Sequence, residues 1–352
     1  MPNDLLLIGS IPLDTAEEVF RTFGTPLGKF LPAIPDGELG PRRHWISRIH
    51  YQVLALHHDI EVVRRPKPDD GGVERLNPRA AADAWHFKVR DGVETIRFGD
   101  PGWRLGYARE AINGYAIFRA LKEKGVLPRE LRFQVSLAMV NSAIPPRIFS
   151  DPVDVEKVRR AYQEAMAAEL ANIVDRIPAK ELAIQWDCAT EVQDAYGAIP
   201  GRPLAGAIER NLPQIRALSS TIPEGVALGY HLCFGTLGGW PRFAPDDLSH
   251  TVKLANAFIE ASGRPADWMH IPLLDRTDDV FFAPLAELQP RGARVFLGAI
   301  HNMERFEERV AIARKFLPQF GVAAFCGFGR MAPKEMARVL EEHVRAAERM
   351  AR

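Results

Sequence analysis

Eight short apolar runs recur along the chain, and a polar or glycine-rich loop and then a helical pattern follow each one. Most of the runs are continuously hydrophobic, which is typical of strands buried on both faces of a parallel sheet. They cover residues 5–11, 29–38, 132–138, 182–187, 226–233, 267–274, 294–301 and 322–329. Eight strands that alternate with helices predict an α/β protein built as a single (β/α)8 TIM barrel. A doubly wound open sheet is the alternative architecture.

The segments between the runs are predicted to be helices, with one exception. From Val155 to Ile177 apolar residues recur three or four apart, and Pro152 stands where a first helical turn tolerates proline. The interval between the second and third runs is too long for one helix, so we expect an insertion at about residues 60–107. Within it, Asp91-Gly92 is predicted to turn a hairpin in residues 85–100. We expect one catalytic domain over residues 1–352.

The composition excludes several classes of protein. Of the 352 residues 47% are hydrophobic, and Lys+Arg and Asp+Glu both total 45. A formal charge of zero argues against a nucleic-acid or membrane partner, because such proteins normally carry a basic excess or stripe. Three cysteines make no disulfide framework and suit a reducing compartment. With no basic leader and no run as long as a membrane span, the chain is expected to be cytoplasmic.

Polar and titratable residues collect where the apolar runs end. In a TIM barrel the carboxyl ends of the strands, with the loops after them, form the catalytic face. The residues that fall there are Glu38, Asp187, His231, Cys233, His270, His301 and Cys326. A random distribution would place as many at the strand starts, so this pattern predicts a functional site.

Three of these residues form a donor set that suits zinc. His231 and Cys233 share one side of an extended segment, because side chains in a strand alternate with period two. Cys326, from another strand end, adds a second sulfur. One imidazole and two thiolates suit Zn2+ and leave its fourth position open, as in catalytic zinc sites. The alternative is that both cysteines are small buried hydrophobes and that His231 is a hydrogen-bonded core histidine.

Six segments at these strand ends resemble motifs of the catalytic domain of cobalamin-independent methionine synthases. They are, in chain order, IGSIP (8–12), DGELG (36–40), IQWD (184–187), HLC (231–233), AIH (299–301) and FCGFGR (325–330). More distantly, the chain resembles zinc-dependent thiol alkyltransferases such as the coenzyme M transferases. The resemblance covers most of the barrel, and the order of the six motifs is more specific than any one of them.

The resemblance implies a reaction and a role for each motif. The reaction is the zinc-dependent transfer of a methyl or alkyl group from a donor to a homocysteine-like thiol. His231, Cys233 and Cys326 would bind Zn2+. Ser10, Glu38 and Asp187 would bind the substrate, and Glu38 and Asp187, which would also act in catalysis, would hold an amino group of the acceptor. His301 would be the catalytic proton donor.

The chain departs from the methionine synthase pattern in two places. The synthases have a fourth protein ligand, a glutamate, but Pro272 stands near its position here, with His270 or Asp275 as possible substitutes. The region of the third strand also lacks the tryptophan that packs against methyltetrahydrofolate, and Ser142 falls near its place. The chain is similar to the short, core-only forms, which implies a corrinoid protein as a candidate methyl donor.

Two other functions stay open, because a shared fold does not prove methyl transfer. One is a metal-independent lyase similar to uroporphyrinogen decarboxylase, with Asp187 or Asp36 as the acting carboxylate. The other is a non-catalytic protein in which zinc is structural.

Overall fold

The computed structural model describes residues 4–99 and 105–351, and a nearly closed barrel of eight parallel strands forms its centre. The barrel strands are β1 (Leu5–Leu6), β2 (Ala33–Pro35), β5 (Arg132–Ala138), β6 (Leu182–Cys188), β7 (Ala227–Leu232), β8 (Trp268–Pro272), β9 (Arg294–Gly298) and β10 (Gly321–Ala323). Between β2 and β5, β3 (Ile60–Arg64) and β4 (His86–Val89) form a separate two-stranded sheet. The barrel order is β1-β10-β9-β8-β7-β6-β5-β2. From β2 and β5 through to β10, barrel strands that follow one another in the chain pair side by side, and β10 pairs with β1, which confirms the predicted (β/α)8 barrel.

Helical segments follow each barrel strand. The α-helices are α1 (Ala16–Val19), α2 (Thr25–Leu27), α3 (Ile46–Ile49), α4 (Tyr107–Glu123), α5 (Val140–Ala143), α6 (Pro152–Arg176), α7 (Thr190–Ala195), α8 (Leu212–Ser219), α9 (Ser249–Ala261), α10 (Asp279–Phe282), α11 (Phe306–Phe316) and α12 (Met336–Met350). In α6, Pro152 stands in the first turn, as the sequence pattern predicts, and the Asp151 side chain caps the helix by accepting from the Val153 amide. In the described part of the chain, no helix is long and apolar enough to cross a membrane.

Most predicted runs are longer than the strands that form. The first run covers residues 5–11, but only Leu5–Leu6 pair with β10. Leu7, Ile8 and Ile11 are nevertheless at most 3% exposed. Hydrophobicity continues past the strand because these residues stay buried at the barrel mouth after their backbone has left the ladder. The apolar pattern therefore reports burial rather than strand pairing.

The predicted hairpin in residues 85–100 is wrong in its second arm. The turn at Asp91-Gly92 forms, but residues 93–99 form no strand, and β4 pairs antiparallel with β3 instead. The other edge of β4 is also in use, because Phe87 bridges Phe149 and the Val89 amide donates to Asp154. Asp100 lies outside the described residues, as do residues 101–104 of the predicted insertion and both chain ends. The insertion boundaries and the single-domain span stay predictions.

The barrel interior is apolar at the amino ends of its strands and polar at the carboxyl ends. The apolar layer consists of Leu6, Ile8, Ala33, Ala183, Ala227, Trp268, Phe296 and Ala323. Trp268 lies over Gly229 of the neighbouring strand, and its indole nitrogen is 3.3 Å from the Gln185 side-chain oxygen. Gln185 thus begins the polar half, in which Asp187, His231 and His270 follow along three adjacent strands.

Gly229→Ala should destabilise the barrel by about 2–3 kcal/mol, because overpacking of a filled core has a cost of this size. A Cβ at this position would lie 1.9 Å from the Trp268 ring, which cannot move aside within the barrel. Urea unfolding measures the change. In a Trp268→Ala background the same substitution should cost much less, since the opposing ring is gone. An equal cost in both backgrounds would contradict the proposed contact.

Candidate active site

A cavity opens at the carboxyl ends of the barrel strands, and six of the seven predicted site residues line it. They are Ser10, Glu38, Asp187, His231, Cys233 and Cys326. In a TIM barrel this is the face on which active sites form. The seventh, His301, is not among the described residues that line the cavity.

His231, Cys233 and Cys326 form a compact cluster in the cavity wall. One ligand atom from each lies within 4.8 Å of the other two. The Cys233 and Cys326 sulfurs are 3.4 Å apart, although the residues are 93 positions apart in the chain. Zinc binds sulfur and nitrogen at about 2.0–2.3 Å, so two donors of one tetrahedral ion lie about 3.5–4 Å apart. The cluster therefore fits a zinc ion.

Backbone contacts place the two sulfurs. The Cys233 amide donates to the Cys188 carbonyl at 3.0 Å, and the Gly235 amide donates to the Cys233 sulfur at 3.3 Å. On the other side, the loop after β10 packs against the segment after β1. A Cβ on Gly327 would lie 3.0 Å from the Ser10 nitrogen. Glycine is therefore needed beside Cys326 for this close approach.

A pair of histidines fixes which nitrogen of His231 faces the cluster. His270 Nε2 lies 3.0 Å from the Ala324 carbonyl, which can only accept, so this nitrogen carries the hydrogen. Burial holds the pKa of His270 well below its usual range, so its Nδ1 has no hydrogen and accepts from His231 Nδ1, 2.8 Å away. The Nε2 of His231 is thereby left with a lone pair for a metal.

The contact between the two sulfurs favours a thiolate at Cys326. The hydrogen bond from Cys233 lowers the pKa of Cys326 well below its usual range, and the same bond raises that of Cys233. The contact therefore favours the ionised form of Cys326 and the protonated form of Cys233. A metal binds the thiolate form, so this arrangement lowers the number of protons that the cation must displace.

Neither suggested substitute for the missing glutamate joins the cluster. Both ring nitrogens of His270 are already hydrogen-bonded, to His231 and to Ala324. The Asp275 carboxylate accepts from Asn302 at 2.6 Å and pairs with Arg309 at 2.8 Å. Among the described residues, the cluster thus offers one nitrogen and two sulfurs.

Glu38 reaches the cavity through an unusual backbone conformation. Its φ is 49°, in the left-handed region that side chains other than glycine seldom adopt. Its amide donates to the Asp36 carboxylate at 2.9 Å, and Asp36 in turn forms an ion pair with Arg42 at 2.8 Å. The Ser10 hydroxyl donates to the Glu38 carboxylate. Strain of this kind, held in place by surrounding contacts, is common at functional sites.

Glu38 and Asp187 are two carboxyl groups that resist ionisation. Burial raises the pKa of Glu38 to about 7, while Ser10 and Arg42 oppose the shift. Burial, followed by the charge of Glu38, raises the pKa of Asp187 well above its usual range, although Gln185 donates to it at 2.8 Å. The pair is therefore partly protonated at neutral pH. A cation placed between them would favour their ionised forms.

His301 lies apart from the cavity lining. Its ring packs edge-on against Phe325, with centroids 5.7 Å apart, next to Cys326 in the chain. Burial lowers the pKa of His301 to about 4, so the ring is neutral at pH 7. Its Nε2 is buried without a hydrogen-bond partner. The predicted role of proton donor stays a prediction.

Several cavity residues were missed at the level of sequence. Arg147, Arg242 and Arg330 line the cavity together with Gln193. Arg147 follows Pro145-Pro146 in the loop after β5, and Arg242 follows Pro241 in the loop after β7. An arginine in a proline-containing loop just beyond a strand end lies on the catalytic face of a TIM barrel, and this position is the sequence signal that could have identified Arg147 and Arg242 as cavity residues.

No protein-family model matches the chain, and no curated protein matches its sequence. Solved structures share its fold. A B12-independent methionine synthase from Shewanella sp. W3-18-1, in complex with selenomethionine, is 12% identical, with a TM-score of 0.63 over 100% of this chain and 98% of that one. A putative vitamin-B12-independent methionine synthase from Listeria monocytogenes is 14% identical, with a TM-score of 0.54 over 95% and 86%. These similarities establish the barrel fold.

Proposed function

We propose that the protein transfers a methyl or alkyl group from a donor to the sulfur of a small thiol, at a zinc ion held by His231, Cys233 and Cys326. The observation that carries the proposal is the meeting of the three side chains from two distant segments in one cavity wall. The fold that the chain shares with B12-independent methionine synthases supports the same reaction class.

The donor set defines the chemistry that the ion would supply. Bound zinc lowers the pKa of a thiol and holds its sulfur as an electron-rich nucleophile. Three protein donors leave room for one substrate atom. His231 takes part through Nε2, because the hydrogen bond to His270 occupies its other nitrogen. The protein thus orients the metal-binding side chains before any substrate binds.

Glu38 and Asp187 would bind an ammonium group of the acceptor. Both are at most 7% exposed and line the cavity beside the cluster. The positive charge of an ammonium group would balance the two carboxylates and so favour their ionised forms. Ser10 would keep the Glu38 carboxylate aimed into the cavity through its hydrogen bond. A homocysteine-like thiol has both groups that this arrangement needs.

The donor is not specified by these contacts. The hydroxyl of Ser142, near the place of the folate-packing tryptophan, is fully engaged with Glu191 and with the amides of Ala189 and Thr190. A corrinoid protein stays a candidate methyl donor. His301, whose ring packs edge-on against Phe325, would protonate the leaving group.

Cys233→Ser and Cys326→Ser should each abolish stoichiometric zinc binding and thiol alkylation, because each removes a sulfur donor. Elemental analysis measures the zinc, and an alkylation assay across homocysteine, glutathione and coenzyme M measures the activity. Cys188→Ser is the matched control, since Cys188 is buried in β6 and does not belong to the cluster. It should keep both properties.

Two results would contradict this proposal. Activity that survives loss of zinc would indicate a metal-independent reaction of the lyase type. Melting of the barrel when a chelator removes zinc would indicate a structural ion.

His270→Leu should weaken zinc binding about 10–100-fold, the usual cost of removing the hydrogen-bond partner of a metal-binding histidine. Without His270, the His231 ring is free to rotate or to carry its hydrogen on the metal-facing nitrogen. Competition with a chromophoric chelator measures the affinity. His343→Leu is the control, because His343 is equally buried, in α12, and contacts the Val339 carbonyl. Equal losses in both variants would point to general destabilisation.

Glu38 should make selectivity for amino thiols depend on pH. Since the pKa of Glu38 is about 7, the ionised form that pairs with ammonium increases about tenfold between pH 6 and pH 8. The ratio of kcat/KM for homocysteine to that for 3-mercaptopropionate, which has no amino group, should rise by a similar factor. The ratio cancels the pH dependence of the thiols. Glu38→Gln should flatten it.

Stability gives an independent check on the state of Glu38. The folded-state pKa exceeds the unfolded value, so its stabilising contribution is complete below about pH 4.5 and is lost as the pH rises through about 7. The loss is about 3 kcal/mol, and Glu38→Gln should remove it. A wild-type protein whose pH dependence of unfolding matches that of the variant would rule out the raised pKa.

A further inference from the structure

The cavity contains more positive charge than its carboxyl groups balance. Its titratable lining, apart from the metal cluster, includes the guanidinium groups of Arg43, Arg147, Arg242 and Arg330 and the carboxyls of Glu38 and Asp187. Both carboxyls have a raised pKa, because they are buried. At neutral pH the cavity is therefore electropositive, and an anionic ligand would compensate this charge.

Two of the four arginines have protein partners. Arg43 donates to the carbonyls of Gly329 and Met331, at 2.9 and 3.2 Å, so it holds two loops together. Arg330 donates to the Thr236 hydroxyl at 2.5 Å. These contacts give both side chains a structural task at the cavity rim.

Arg147 and Arg242 differ from them. Among the described residues, neither guanidinium forms an ion pair or a hydrogen bond, and the Nε of Arg147 is buried without a partner. Other buried arginines of this chain are paired, as Arg42 is with Asp36 and Arg309 with Asp275. Arg147 and Arg242 are both half-buried, so their guanidinium groups lose part of their hydration without gaining a protein acceptor. A ligand that supplies an acceptor offsets this cost.

The two unpaired residues line the same cavity. Burial, followed by the charge of Arg242, lowers the pKa of Arg147 to about 9, which leaves Arg147 protonated at pH 7. Burial also lowers the pKa of Arg242, but a guanidinium group stays charged in proteins. Repulsion between like charges destabilises the protein unless an anion lies between them. Two guanidinium groups facing one space offer several N–H donors in fixed forks, which suit carboxylate, phosphate or sulfonate oxygens.

The fold ties this pair to the metal segment. The Arg242 amide donates to the Gly235 carbonyl at 3.0 Å, and a Cβ on Gly235 would lie 3.2 Å from the Arg242 Cβ. Gly235 has φ of 85° and donates to the Cys233 sulfur. The aliphatic part of Arg242 thus lies over Gly235, two residues after Cys233. Arg242 and the metal cluster therefore belong to one wall of the cavity.

We propose that Arg147 and Arg242 form a subsite that binds the oxyanion group of a small-molecule substrate, a carboxylate, phosphate or sulfonate. A small molecule fits better than an acidic macromolecule, because both side chains are half-buried and line the cavity itself. The assignment to a substrate rests on the proposed alkyl transfer, in which the oxyanion belongs either to the thiol or to the donor.

Inorganic phosphate is a suitable probe, and isothermal titration of the full chain measures its binding. Arg147→Gln and Arg242→Gln should each weaken the affinity about tenfold or more, since each removes charge-assisted hydrogen bonds. Arg147→Lys, which keeps the charge but not the fork, should bind with intermediate affinity. Arg314→Gln is the control, because Arg314 is exposed near the end of α11 and does not line this cavity.

Thermal melting distinguishes a binding role from a structural one. Without phosphate, Arg147→Gln should melt at or above the wild-type temperature, because it removes an unpaired buried charge. Phosphate should raise the melting temperature of the wild type and of Arg314→Gln, but much less that of the other two glutamine variants. A phosphate affinity that Arg147→Gln and Arg242→Gln leave unchanged, or a wild type that does not bind millimolar phosphate, would overturn the subsite.

This result is independent of the proposed reaction. The double variant Cys233→Ser/Cys326→Ser should keep the phosphate affinity of the wild type, because the subsite does not use the sulfurs. The subsite can therefore be established even if no thiol is alkylated. Where alkylation is observed, a higher KM for the thiol in Arg147→Gln assigns the oxyanion to the acceptor, and a higher KM for the alkylating substrate assigns it to the donor.

Discussion

The contact between the sulfurs of Cys233 and Cys326 depends on how the barrel is assembled. The residue after β7 supplies one sulfur and the loop after β10 supplies the other, and β8 and β9 lie between these two strands in the sheet. The two segments bring their sulfurs to 3.4 Å at the barrel mouth, where Gly327 permits close packing of the Cys326 loop against Ser10. The imidazole of His231, the carboxyls and the arginines are all arranged around this contact. Any change in register along β7 to β10 would separate the cluster.

A second constraint is that several titratable groups of the cavity have no countercharge in the protein. Glu38 and Asp187 are held partly protonated, and Arg147 and Arg242 are held charged without partners. In the free protein, ionising either carboxyl and keeping either guanidinium group without an acceptor both cost free energy. A zwitterionic or anionic substrate would provide the missing countercharges at both places, so the binding energy would come from interactions that the free protein lacks.

The histidine pair shows how contacts inside the barrel determine which nitrogen of the His231 ring carries the hydrogen. His270 occupies an inward position of β8, directly beside His231 of β7. Its hydrogen bond to the Ala324 carbonyl decides its tautomer, and through it the tautomer of His231. A residue that binds no metal itself thus determines which lone pair the cluster offers. The barrel interior also fixes Asp187 in this way, through Gln185.

The sequence by itself determined the barrel and the location of its site, because apolar periodicity records burial and polar residues at strand ends record the catalytic face. It also placed Cys233 and Cys326 in one predicted cluster. Only the tertiary structure decided that His270 supports His231 instead of binding metal, that β4 pairs with β3, and that Arg147 and Arg242 share a cavity. These outcomes depend on contacts between distant segments, and local patterns contain no information on which partner a side chain finds.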